Sequence, residues 1–174
     1  MKTARTLADY VSDPASALPR RLGVAAIIKP LISRHAKSDG ATTNLYFGDM
    51  VGQPFFAASI YPWRTSYVLD GDSLEDALRL FINENQDLLD RDPRHCIGTW
   101  YVPESGLTYI DISVACADRS EALRLAESYN QCAIYDLLTE TVVRTYGTGE
   151  ELPGWPPETE RLSPLRQGDK LDGQ

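Results

Sequence analysis

Only two histidines, His35 and His95, occur in the 174-residue chain, and neither sits in an H-E-x-x-H or comparable pattern, so the spacing that lets histidines hold zinc is missing. Cysteine is sparse too. Cys96, Cys116 and Cys132 are odd in number and lack C-x-x-C spacing, which argues against a disulfide framework or zinc site and predicts buried free thiols. Asp70, Asp72 and Asp76 lack the glycine and terminal glutamate of a calcium loop. No metal and no cofactor is expected. No stretch approaches the roughly 20 apolar residues that span a bilayer, and the first residues lack a charged-then-apolar leader pattern. The expectation is a cytoplasmic protein without a membrane partner. No internal repeat is present, and Gly147-Thr148-Gly149 lacks the long strand, helix and lysine of a phosphate loop, so it reads as a turn.

Basic charge is confined to one end. Residues 1–37 hold Lys2, Arg5, Arg20, Arg21, Lys29, Arg34 and Lys37 against Asp9 and Asp13, a net +5, so the formal charge of -8 leaves -13 on the rest. An acidic body repels phosphate backbones and argues against nucleic acid as a partner. The basic segment is read as packing on its own acidic body.

What is present is a strongly patterned centre. Ile97–Val102 and Leu107–Val114 are rich in β-branched and aromatic residues, and Pro103-Glu104-Ser105-Gly106 between them is turn chemistry, which predicts a hairpin. If Val102 pairs with Leu107, Trp100 faces Tyr109 and Gly98 faces Asp111, while Ile97, Thr99, Ile110 and Ile112 share the opposite face. Asp118-Arg119-Ser120-Glu121 then opens a helix carrying Ala122, Leu125, Ala126, Tyr129 and Cys132 at helical spacing. Ala133–Leu138 is a short apolar run that reads as a strand.

Before this centre, residues 6–11 suit a short helix ended near Asp13-Pro14. Residues 22–35 suit an apolar helix that Pro30 should kink or split. Ser38–Asn44 is a linker by composition, residues 55–61 form a strand, and residues 65–69 form a short edge strand. Asp72 or Ser73 caps a helix over 73–90 whose other face is acidic. The order β-α-β-β-α-β predicts an α+β, ferredoxin-like antiparallel sheet with two helices on one face. The expected organisation is an N-terminal helical extension and linker (1–44), an α+β core (45–150) and a Pro-rich tail (151–174) that is extended or disordered, with Trp155 as its anchor.

Such a sheet leaves Phe55, Tyr61, Trp100, Tyr109, Asp111 and Ser113 on its second face. RNA-recognition domains stack bases on such a face, but the acidic body and the missing basic, glycine-and-aromatic strand signature argue against that use. The alternative is that the apolar helix 22–35, or a second copy of the chain in a homo-oligomer, covers it. Tyr61, Arg64, Asp111, Ser113 and Asp136 could converge at one end of the sheet to hold a polar ligand or do acid-base work. With Trp100 and Tyr109 they form the candidate binding set, and no catalytic residue is assigned. His95 reads as a structural histidine.

Four further stretches carry a resemblance: Ser59–Arg64, Tyr109–Ser113, Ala126–Leu137 and Thr145–Gly149. Together they resemble uncharacterised open reading frames of phages and mobile elements that pair S-x-Y-P-x-R with Y-x-D-[IV]-S, A-x-x-x-N-Q-x-A-I-x-D-L and a T-G-G-T-G ending. The resemblance covers about residues 40–150 and departs at Tyr146, where the ending has glycine. It implies a context and no chemistry. The leading expectation is therefore a non-enzymatic interaction module that binds and inhibits a host factor. The alternatives are a small-ligand or minor enzymatic domain using the polar cluster, and a self-associating structural protein.

Overall fold

β5 (His95–Val102) and β6 (Leu107–Cys116) pair antiparallel with Val102 opposite Leu107, Trp100 opposite Tyr109 and Gly98 opposite Asp111, as the turn chemistry requires. The computed structural model describes residues 5–15 and 17–164. Around this hairpin it builds one antiparallel sheet of eight strands in the order β2-β1-β5-β6-β3-β7-β8, with β4 also on β6. The remaining strands are β1 (Gly40–Asn44), β2 (Gly48–Asp49), β3 (Phe56–Ser59), β4 (Ser66–Leu69), β7 (Ala133–Asp136) and β8 (Thr141–Arg144). The class is α+β, and the sheet is wider than the four core strands and one short edge strand expected.

β6 is long enough to serve two neighbours on one side: β3 pairs with Ser113 to Cys116, and β4 with Leu107 to Ile110. Residues 38–44, expected as a linker, contain β1, which joins β5 from Gly40 to Asn44. Composition misled there because Gly-Ala-Thr-Thr-Asn resembles turn chemistry, whereas its backbone is completed by β5. β8 arises from the same physics, since β7 offers an open edge that Thr141–Arg144 fills.

The helices are α1 (Leu7–Ser12), α2 (Val24–Ser38), α3 (Leu74–Glu84), α4 (Gln86–Leu89) and α5 (Arg119–Ser128). Two caps lie where the sequence places them, with Ser73 and Asp118 accepting from Asp76 N and Glu121 N, and Thr6 adds a capping box with Asp9. The helix expected over 73–90 breaks at Asn85, whose side chain donates to Phe81 O instead of extending the turn. α2 runs unbroken through Pro30.

α2 does not cover the second face. Its Ile27, Ile28 and Leu31 join Leu78, Phe81 and Ile82 of α3, Leu125 and Ala126 of α5, and Ile97, Ile110, Ile112 and Val114 of the sheet in one core. An apolar stripe shows that a helix needs cover, not which face supplies it. A second, smaller core lies on the other face, where Leu7 and Val11 of α1 pack with Met50, Phe55, Ala57, Cys96, Ala115 and Leu137.

Residues 151–164, expected as an extended or disordered tail anchored by Trp155, contact the body of the protein through Trp155 and Arg161. Arg161, 6% exposed, donates to Ile60 O at 2.9 Å and to Pro156 O at 3.2 Å and pairs with Glu151. Its guanidinium lies 5.4 Å from the ring centroids of both Tyr129 and Trp155. Trp155 is thus an anchor, with Arg161 as its partner; residues 165–174 lie outside the described residues.

Tyr61 also departs from expectation. Strand alternation fails beyond Ser59 because Pro62 opens a 3-10 turn, and the Tyr61 ring enters the helix-covered core. His95 Nδ1 lies 2.6 Å from Leu88 O, so it carries the proton, and the Tyr61 hydroxyl donates to Nε2 at 2.8 Å. Burial lowers the pKa of this histidine. Tyr61→Phe removes the only donor to a buried acceptor, and urea unfolding is expected to show a loss of about 1–3 kcal/mol; an unchanged midpoint would show the pair to be dispensable.

Candidate functional site

Side chains alternate along β3, β5, β6 and β7, so residues two apart share the second face. At one end of that face the apolar positions meet α1. At the other, Ala57, Ser59, Gly98, Trp100, Tyr109, Asp111, Ser113 and Tyr135 line a concavity of about 400 Å³. This size is typical of small-molecule sites.

The concavity exists because the sheet curls. Tyr135 is in register with Ala57, Ala57 with Ala115, and Trp100 with Tyr109. On a flat sheet, strand spacing and rise would hold the Trp100 and Tyr135 backbones more than ~20 Å apart. Their ring centroids are 6.2 Å apart and nearly perpendicular, at 72°. The two rings therefore arch over the floor between them.

Asp111 lies on that floor, half-buried. Gly98 makes room for it: a Cβ at position 98 would come within 2.5 Å of Asp111 Oδ1. Burial pushes the Asp111 carboxyl up to about 6, only partly offset by the Ser59 hydroxyl, and no arginine or lysine among the described residues acts on it. Beside it Ser113, 4% exposed, has a buried Oγ with no hydrogen-bond partner. Ser59 Oγ lies between two acceptors, Ile112 O at 3.3 Å and the Asp111 carboxyl, and its single proton serves one of them at a time. Arg144, Glu140 and Val142 stand at the mouth, all exposed.

Of the seven candidate residues, Trp100, Tyr109, Asp111 and Ser113 come together here. The other three do not. Tyr61 bonds His95 inside the opposite core. Arg64 holds Asp87 through two bonds of 3.0 and 2.8 Å and Glu158 at 2.9 Å, which joins α4 to the C-terminal segment. Asp136 Oδ1 accepts from Leu138 N and Thr139 N and shapes the turn into β8. Tyr135 was missed, although the alternation of Ala133-Ile134-Tyr135-Asp136 about buried Ile134 could have placed it. Thr42 of β1 was missed with its strand.

The thiols divide. Cys96 and Cys116 are buried, with the Cys96 pKa pushed up to about 12 by burial, whereas Cys132 is exposed at the cavity. Gly147-Thr148-Gly149 is a turn clamped by Asn130, whose side chain bonds Thr148 Oγ1, Thr148 N and Glu150 O. A Cβ on Gly147 would fall 2.2 Å from Gln131 O, and the Thr145 hydroxyl donates to that same oxygen. The Asn-Gln and Thr-Tyr-Gly-Thr-Gly stretches thus meet as one structural corner. Among the described residues no group of three or more His, Cys, Asp or Glu could hold a metal, and no helix is long and apolar enough to cross a membrane. Compared with family models, curated proteins and solved structures, the chain matches none.

A carboxyl whose pKa is raised in the folded state destabilises that state above its folded pKa, and the penalty disappears as pH falls toward the unfolded value near 4. Asp111→Asn is therefore expected to stabilise the ligand-free protein at pH 8 by on the order of 1–3 kcal/mol. The wild-type and variant denaturation curves should converge between pH 6 and 4; equal stability at pH 8 would mean that the carboxyl is solvated.

Proposed function

We propose that this protein binds a small organic molecule on the concave second face of its sheet, without catalysing a reaction on it. The observation that carries this reading is the buried, unpartnered Ser113 hydroxyl beside Asp111 on the floor of a preformed, aromatic-roofed concavity. Folded proteins satisfy nearly all buried polar groups, and an orphan among the residues that line a cavity is explained by a partner that arrives with a ligand. Asp111 carries a similar cost, and residues that weaken the fold cluster where function requires them. No nucleophile paired to a base lines the cavity, which favours binding over acid-base chemistry.

A second reading has its own support. Trp63, Tyr67 and Leu69 are exposed at 78%, 65% and 57% on and beside β4, and β4 pairs with β6 alone among the described strands. An added strand from a host protein or from another copy could extend that edge. This is the interaction-module reading, in keeping with the resemblance to phage and mobile-element reading frames. By the same reading of the topology, β7-β3-β6-β5 with α3 and α5 is a ferredoxin-like unit widened by the other strands. Three free thiols suit the reducing cytoplasm.

Ligand-observed NMR with a mixed fragment set tests the first reading. Bound fragments should perturb the Trp100 indole and the Ser113 amide, and Val142→Trp at the mouth should weaken them at least tenfold. Fragments that bind elsewhere, or ignore Val142→Trp, would refute the site. For the second reading, light scattering should show concentration-dependent mass that Tyr67→Lys abolishes while fragment binding persists; a monomer at all concentrations removes self-association.

A further inference from the structure

The geometry points to an organic cation, a protonated or quaternary amine on an aromatic or aliphatic body, as the ligand of the concavity. This inference rests on the small-molecule reading above and names its chemistry. Asp111 forms no ion pair among the described residues, and only burial and the Ser59 hydroxyl act on its carboxyl. A carboxylate in an apolar setting without a countercharge is costly. A ligand that supplies the cation removes that cost on binding, whereas a neutral or anionic ligand leaves or increases it.

The surroundings fit the same class. Trp100, Tyr109 and Tyr135 offer ring faces and edges around the space above Asp111, and a cation within about 6 Å of such a face is attracted by the ring quadrupole. Ser113 Oγ can accept one further N–H or donate to a ligand oxygen. The apolar wall from Ala57 and Val142 suits the body of the molecule. A concavity of about 400 Å³ has room for a single ring with a short amine arm.

The groups facing Asp111 limit other sources of pH dependence. β6 contributes Tyr109, β7 contributes Tyr135, the β7–β8 turn contributes Glu140, β8 contributes Arg144, and Cys132 precedes β7; β1, β3 and β5 supply Gly40, Thr42, Ala57, Ser59, Gly98 and Trp100, none of which ionises. Of these facing groups, Asp111 is the one whose carboxyl titrates near 6. Cation affinity should therefore fall about tenfold per pH unit below that value, since only the ionised carboxyl is complementary.

The test uses benzylamine, benzyltrimethylammonium, benzyl alcohol and benzoate, four probes of one shape and three charges, titrated by NMR at pH 7.5 and pH 5. Both cations should perturb the Trp100 indole and bind at least tenfold more tightly than the alcohol or benzoate. They should weaken at pH 5 and lose at least tenfold in affinity in Asp111→Asn and in Trp100→Ala. Asp111→Asn is isosteric and Trp100 is 45% exposed, so both variants keep the fold. If the alcohol or benzoate binds as tightly as the cations and ignores Asp111→Asn, the cation assignment is overturned while ligand binding stands. If no probe of any charge perturbs the concavity, both fall.

Discussion

Gly98 directly opposite Asp111 is the pairing on which the second face depends. With any side chain at 98 the carboxyl could not lie flat on β5, because the first atom of that side chain would already be within 2.5 Å of Oδ1. Placed there, the carboxyl is half-buried in the concavity formed by the curl of the sheet and by the rings of Trp100 and Tyr135. The same register sends Ile97, Thr99, Ile110 and Ile112 to the helix side, where they help to close the main core. One hairpin therefore sets both the stable face and the costly one.

The layers divide the work accordingly. α2, α3, α4 and α5 all cover the first face, and Arg161, held by Ile60 O, Tyr129 and Trp155, fastens the C-terminal segment to the same body. α1 seals only one end of the second face through Leu7 and Val11. Among the described residues, the other end keeps a carboxyl without an ion pair and a hydroxyl without a hydrogen-bond partner. Polar groups are retained in such a place when something outside the chain completes them.

The local rules were legible where a single element obeys them. Alternation and turn chemistry gave the β5–β6 register residue by residue, and the caps at Asp118 and Ser73 follow from side-chain hydrogen bonding within one turn. Trp100, Tyr109, Asp111 and Ser113 were legible as one face for the same reason. What escaped depends on partners distant in sequence. β1 looks like a linker until β5 completes its hydrogen bonds, α2 could have covered either face, and Tyr61 obeys alternation only until Pro62 turns the chain. Arg64 and Asp136 are polar side chains of the kind found in sites, yet their geometry commits them to an ion-pair junction and a turn.

The ligand-binding character of the second face depends on the state of one carboxyl. A carbon-13 NMR titration of the Asp111 side chain in the ligand-free protein measures it directly. The structure predicts a midpoint near 6, with the Trp100 indole resonance moving at the same pH as the charge beneath it changes. A midpoint at or below 4, that of a solvated aspartate, would contradict the claim that this face holds a desolvated, uncompensated acid awaiting a ligand.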